Sequence, residues 1–151
     1  MYCLFYSKAK MNEKRTIETM KHRHILWADD DMDDLMLMRH VLQDLGDDYN
    51  IAEVHNGQEA LDYLDNAKAT KALPCLIILD MNMPVLDGKE TLARLKKDET
   101  LKNIPVVFFT TSNSIMDKLY CKHNGVEMIT KPPQYANLKD AVQKLLRYCT
   151  S

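Results

Sequence analysis

The sequence predicts an α/β domain: a five-stranded parallel sheet, doubly wound, with helices packed on both faces. Three observations carry that expectation. From His24 onward, short apolar runs alternate with helix-period patterns, and the alternation repeats five times. The 151 residues, 46% hydrophobic, suffice for one such domain with a substantial core and leave no room for a separate output domain. Asp29, Asp80, Thr110 and Lys131 stand at the carboxyl ends of four of the runs, where open sheets of this class bind their ligands.

The strand-forming runs are Ile25 to Ala28, Asn50 to Val54, Cys75 to Leu79, Val106 to Phe109 and Glu127 to Thr130, of which the second and fifth are the least apolar. After the first, Leu35, Met38, Val41, Leu42 and Leu45 recur at helical spacing, with Asp31 as N-cap and Gly46 as the stop. Ala60, Leu61 and Leu64 mark a second helix behind the turn Asn56-Gly57, and Leu92 and Leu95 a third behind Asp87-Gly88. A fourth is expected from Ile115 to His123, ending near Asn124-Gly125. In the last, Leu138, Ala141, Val142, Leu145 and Leu146 form an amphipathic stripe. Right-handed crossovers between parallel strands then place helices on both faces.

Twenty Lys and Arg against 22 Asp and Glu give a net charge of −2, so no overall basic excess points to nucleic acid. Cys3, Cys75, Cys121 and Cys149 are scattered, without a CxxC pair or zinc-type His spacing, and read as buried or incidental thiols suited to a reducing cytoplasm. Residues 1–21 contain neither a long apolar core nor a small-residue cleavage site; they read as a flexible extension ahead of a domain spanning 22–151, and Met11 or Met20 would serve equally well as the start. No stretch approaches the roughly 20 apolar residues of a membrane span.

Asp29, Asp30 and Asp31 follow the first strand and Asp80 closes the third, so the topology brings carboxylates from separate segments to one sheet edge. Carboxylates so close repel in a partly desolvated site, and a hard divalent cation relieves that repulsion. Mg²⁺ prefers one or two carboxylates, a backbone carbonyl and several waters, which leaves room for a phosphoryl oxygen. For the triple Asp by itself, a solvated turn and helix cap is an equally good account. The rest of the edge shifts the balance: Thr110 closes the fourth strand and Lys131, before Pro132, the fifth. A hydroxyl and an ammonium beside clustered carboxylates make a site for an anion with a metal counter-charge.

In four places these residues resemble the receiver domains of two-component response regulators. HILWADDD is similar to the family's first strand with its acidic pair, at Asp29 and Asp30; LIILDMNMPVLDG to the phosphoacceptor strand and loop, at Asp80, Asn82, Pro84, Asp87 and Gly88. IPVVFFTTS is similar to the fourth strand with its switch hydroxyl, Thr110, and ITKPP to the fifth, with Lys131 before a proline. The resemblance runs from about His24 to Cys149, and the long segment from Asn66 to Cys75 is similar to single-domain regulators that serve phytochrome-type kinases.

The resemblance implies a flavodoxin-like sheet of strand order 2-1-3-4-5 and a single-domain, chemotaxis-regulator-like phosphorelay protein. Asp80 would be the nucleophile that takes a phosphoryl group from a sensor histidine kinase or a histidine phosphotransfer protein. Asp29, Asp30, Asp80 and the backbone carbonyl of Asn82 would hold Mg²⁺, with Mn²⁺ as a substitute, Asp29 acting mainly through water. Lys131 and Thr110 would contact the phosphoryl oxygens, and the Lys131-Pro132 peptide would be a candidate for the cis form. Such a domain signals rather than turns over a substrate, assisting its own phosphotransfer and dephosphorylation. It would act in the cytoplasm on a protein target, with a homodimer contact available through the fourth helix, fifth strand and fifth helix, and with neither nucleic acid nor membrane as a direct partner.

One departure concerns readout. Receivers with an aromatic relay carry Tyr or Phe three residues before the lysine, whereas this chain has Met128, so a two-position ring flip is not available. The other methionines, among them Met36, Met38, Met81 and Met83, read as core and loop filling, Trp27 as buried against a helix, the five histidines as surface or packing residues, and Tyr135 and Tyr148 as lining the outside of the last helix. A haloacid-dehalogenase-like phosphohydrolase uses similar chemistry, but carries its Asp nucleophile on the first strand in a DxDxT pattern, and DDDMD lacks the Thr. A flavodoxin-like cofactor carrier needs a glycine- or hydroxyl-rich loop where this chain is anionic. A receiver that only binds partners would not need the intact set Asp30, Asp80, Thr110 and Lys131.

Overall fold

The computed structural model describes residues 23–46 and 49–149. The 1–21 extension therefore lies outside the described residues. Five parallel strands, β1 (His24–Ala28), β2 (Asn50–Val54), β3 (Leu76–Leu79), β4 (Val106–Thr110) and β5 (Glu127–Thr130), form one sheet in the order β2-β1-β3-β4-β5. Between and after them run α1 (Met32–Asp44), α2 (Gly57–Ala69), α3 (Gly88–Lys97), α4 (Ile115–Asn124) and α5 (Tyr135–Leu146), with a short 3-10 turn at Leu101–Asn103. The doubly wound flavodoxin-like fold read from the sequence is the fold observed.

Two cores lie on the two faces of the sheet. Ile25, Trp27, Ile78, Val107 and Phe109 pack against α1 and α5, while Leu26, Ile77, Leu79 and Phe108 pack against α2, α3 and α4. Because β1, β3 and β4 are covered on both sides, neighbouring residues must both be apolar, which explains their unbroken runs. Trp27 is buried in the first core, edge-on to Phe109. The two least apolar strands, β2 and β5, are the sheet's edges; each pairs on one side only and is half-exposed, so its sequence needs less hydrophobic character.

Local signals set the helix ends. Asp31 caps α1 by accepting from the N–H groups of Asp33 and Asp34, Asn56 caps α2, and Asp87 caps α3. At the end of α4, Gly125 takes a left-handed conformation (φ +66°) that lets its N–H and that of Val126 close on the last-turn carbonyls. Gly88 serves close approach instead. A Cβ there would collide with the backbone carbonyl oxygen of Asp80 and the Phe108 ring, so only glycine lets α3 begin against the end of β3.

Three expectations are corrected. Cys75 and Cys149 are not free thiols but a disulfide that ties the residue before β3 to the chain just past α5, across a sequence separation of 74, with Cα atoms 5.0 Å apart. The tertiary fold brings two scattered cysteines to the same amino-terminal sheet edge, which their spacing could not show. Cysteine usage therefore no longer argues for a reducing compartment; only Cys121 among the described cysteines is a free, buried thiol. The Lys131-Pro132 peptide is trans, the isomer that X-Pro bonds favour. Met36 is half-exposed on α1 rather than filling a core, unlike Met38, Met81 and Met83, which are buried.

Two stability experiments follow. Cys149→Ser is expected to lower unfolding free energy by about 2–4 kcal/mol in non-reducing buffer, with a reductant doing the same to the wild type and nothing further to the variant; equal denaturation midpoints for the two oxidised proteins would exclude the cross-link. Gly88→Ala is expected to destabilise by about 1–3 kcal/mol, since backbone rather than a side-chain tip must give way.

Candidate functional site

The backbone ladder runs just beyond the strand ends and fixes the three central residues of the site. Asp29 N–H donates to Val54 O (3.0 Å), Asp80 N–H to Ala28 O (2.9 Å) and Lys131 N–H to Thr110 O (2.8 Å). Each side chain therefore springs from a backbone atom already bonded to a neighbouring strand. One oxygen from each of Asp29, Asp30 and Asp80 lies within 4.8 Å of the others. Asp30 and Asp80 face an open cleft of about 540 Å³, which Asp31, Asp33, Asp34, Asn82, Thr111 and Lys131 also line, with Asp29 buried behind it. A second cleft, about 310 Å³, lies at the amino ends of β4 and β5 beside Pro105, Val126 and Tyr148, and contains none of these residues.

Burial divides the carboxylates. Asp29 is 1% exposed, Asp80 is 9% exposed, and Asp30 is open to solvent. Asp29 accepts from Asp31 N–H (2.9 Å) through Oδ1 and from Lys131 Nζ (2.6 Å) through Oδ2. Burial pushes its carboxyl up to about 6, against the lowering effect of Lys131 and Asp31 and with a further upward push from Asp80. Asp80 Oδ1 accepts from Met81 N–H at 2.7 Å. Burial disfavours the Lys131 ammonium, but hydrogen bonds to Asp29 and Asp34 (2.8 Å) and the charge of Asp80, 3.5 Å away, more than offset this and hold it above the ordinary lysine range.

The structure thus brings together Asp29, Asp30, Asp80 and Lys131, with Asn82 on the cleft wall. Thr110 is fully buried at the end of β4, its hydroxyl oxygen accepting from Ser112 N–H (3.2 Å); the neighbouring Thr111 lines the cleft. Met128 lies opposite Phe108 in the β4–β5 register and packs, half-buried, against the second core. In the loop after β3, Val85 takes φ +66° while 80% exposed, a strained backbone for a β-branched residue that keeps the turn between Asp80 and α3 tight.

Sequence reasoning missed Asp34. It follows the cap Asp31 by three residues, so one turn of helix returns its carboxylate to the strand-end side, a signal that helical spacing already carried. It also missed the contacts around Ser112, whose hydroxyl bonds Asp117, which in turn pairs with Lys89 at 2.5 Å and so ties the loop after β4 to α3.

The donor set fits a hard divalent cation. Three carboxylates converge, two of them beside the Lys131 ammonium, all the donors are oxygens, and an open cleft leaves room for water. No group of three or more candidate ligands other than Asp29, Asp30 and Asp80 occurs among the described residues. Nor is any described helix long and apolar enough to cross a membrane.

Comparison with known proteins agrees with this geometry. Residues 25–143 match the family model of the response regulator receiver domain. The chain is 35% identical over 127 residues to the probable methanogenesis regulatory protein FilR2 of Methanothrix harundinacea, covering 82% of this chain and 81% of that one. It is 36% identical over 92 residues to the response regulator Rcp1 of Synechocystis, covering 60% of this chain and 63% of the relative. The crystal structure of the phosphorylated cyanobacterial phytochrome response regulator RcpA superimposes with a TM-score of 0.76 at 33% identity, over 84% of this chain and 93% of that one. That of Mn²⁺-bound Rcp1 does so with a TM-score of 0.72 at 31% identity, over 82% and 91%. With its sheet order, its strand-end acids and its lysine all accounted for, the chain belongs to the response regulator receiver family of two-component systems.

Proposed function

We propose that residues 22–151 form a single receiver unit in which Asp80 is the phosphoacceptor. The observation that carries this reading is the convergence of Asp29, Asp30 and Asp80 within 4.8 Å, with the Lys131 ammonium bonded to Asp29 and 3.5 Å from Asp80. In the step proposed, an Asp80 oxygen attacks the phosphorus of a phosphohistidine in line. The O–P bond forms as the P–N bond breaks, and the departing imidazole keeps the electron pair. Asp29, Asp30, Asp80 and the Asn82 carbonyl would hold Mg²⁺, or Mn²⁺ in its place; the bound cation supplies charge neutralisation at the phosphoryl oxygens.

The protein's own residues do the rest. Lys131 offsets charge on the transferring group. The Thr110 oxygen accepts from Ser112 N–H, which leaves its O–H free to donate to a phosphoryl oxygen. Movement of Thr110 toward that oxygen would shift the face formed by α4, β5 and α5 to a partner-competent form. Exposed Ile115, Met116 and Leu119 on α4 give that face an apolar surface for a protein target or for a second copy. The donor is a sensor histidine kinase or a histidine phosphotransfer protein, and likeness to phytochrome response regulators makes a phytochrome-type kinase the first to test. Hydrolysis of the acyl phosphate at the same site would end the signal, in the cytoplasm if the kinase's catalytic domain lies there.

Incubation with acetyl phosphate should add one phosphoryl group by intact mass only when Mg²⁺ or Mn²⁺ is present, and Asp80→Asn should abolish the gain. No gain, either from acetyl phosphate or from phosphorylated histidine kinases, would reduce the protein to a binding module. The raised Asp29 carboxyl gives a second expectation. The folded state holds its proton to about pH 6, whereas an unfolded Asp releases it near its ordinary value, so stability falls as pH rises through that window and stays lowered above it. With a chelator present, the fall in stability between about pH 4 and about pH 8 should be smaller in Asp29→Asn than in the wild type by about 1–3 kcal/mol, on top of a pH-independent cost of leaving the buried Lys131 charge without its nearest partner. Equal falls in the two proteins in thermal unfolding would contradict the assignment of the shift to Asp29.

A further inference from the structure

An ammonium has three N–H donors. Lys131 spends one on Asp29 (2.6 Å) and one on Asp34 (2.8 Å), leaving Asp80 at 3.5 Å, beyond good hydrogen-bonding distance. The two near partners differ in what they lose on separation. The Asp29 side chain is 1% exposed and would be left as a buried, unpaired charge, whereas that of Asp34 is 29% exposed and water can take over its hydrogen bond. Of the two contacts, the one to Asp34 breaks more readily.

We propose that Asp34 is a positioning residue that holds the Lys131 ammonium back from Asp80 until a phosphoryl group arrives. This rests on the reading of Asp80 as phosphoacceptor and adds a regulator to the same site. While the Asp34 contact persists, Lys131 is shared among three carboxylates. A phosphoryl group on Asp80 brings oxygens with more negative charge, and Lys131 meets them by giving up Asp34 and keeping Asp29. Asp34 therefore sets how readily the ammonium reaches the transferring group, and weakening its grip speeds phosphorylation. Asp33 supplies the control. It lies on the same turn and lines the same cleft, is exposed, and makes no bond to Lys131, so its neutralisation changes the local field without freeing the lysine.

The test measures the rate of phosphorylation of the full chain by acetyl phosphate with saturating Mg²⁺, by intact mass, for the wild type, Asp34→Asn, Asp34→Glu and Asp33→Asn. Asp34→Asn is expected to react about three- to five-fold faster, as suits release of one partly exposed ion pair. Asp34→Glu should return toward the wild-type rate and Asp33→Asn should stay within about two-fold of it. An unchanged or slower Asp34→Asn protein, or an Asp33→Asn protein equally accelerated, would overturn the proposal and leave the phosphoacceptor reading standing. A wild type that takes no phosphoryl group defeats that reading instead. The hold on Lys131 is then decided by a double-mutant cycle of Asp34→Asn and Lys131→Met in thermal unfolding with a chelator present. Non-additivity supports the hold, and additivity overturns it.

Discussion

The buried pair between Lys131 and Asp29 is the contact on which the strand-end site depends. It joins the end of β5 to the end of β1, across two intervening strands, at 2.6 Å and with both side chains almost wholly withdrawn from water. Such a pair adds little net stability, because desolvation offsets much of its attraction, yet losing one partner leaves an uncompensated charge and is expensive. Its role is therefore specification. It requires β1 and β5 to end at the same level, and thereby brings Asp80, on β3 between them, within reach of the same ammonium.

Around that pair the site holds more negative charge than one lysine can balance. Burial, helped by the charge of Asp80, pushes the Asp29 carboxyl up despite Lys131, and the convergence of three carboxylates is the physical reason a cation is expected there. The loop geometry around Asp80 sustains the crowding. Gly88 admits α3 close behind Asp80, and Val85 turns the loop sharply, with Leu86 N–H donating to Pro84 O. A protein selected only for stability would relax such a cluster. The cluster stands on an otherwise well-satisfied fold, with no buried side-chain polar atom lacking a partner among the described residues.

The two edges of the sheet are used differently. At the carboxyl ends, polar side chains converge. At the amino ends, the Cys75–Cys149 disulfide ties β3 to the chain beyond α5, so the last helix is held at one end by a covalent bond and along its length by Leu138, Val142 and Leu145. A helix so anchored forms a firm wall over one face of the sheet. Met128 stands in place of an aromatic relay, and the contacts of Ser112 with Thr110 and Asp117, and of Asp117 with Lys89, are side-chain links that join the end of β4 to α4 and α3.

Much of this was legible in the sequence. Unbroken apolar runs gave β1, β3 and β4, because strands covered on both faces admit no alternation, and Asp31, Asn56 and Asp87 announced the helix starts because caps act within one turn. The strand-end positions of Asp29, Asp80 and Lys131 could be read as well, since position relative to a strand is local information. Local information also carried the limits. The trans form before Pro132, the pairing of Cys75 with Cys149, and the sharing of Lys131 between Asp29 and Asp34 each depend on which distant segments meet and at what distance. The sequence by itself determined the order of elements and the chemical types at the sheet's edge. Only the tertiary structure decided which charges are buried, which are paired and which cysteines meet, because burial and pairing belong to the packing of segments up to 102 residues apart rather than to any one of them.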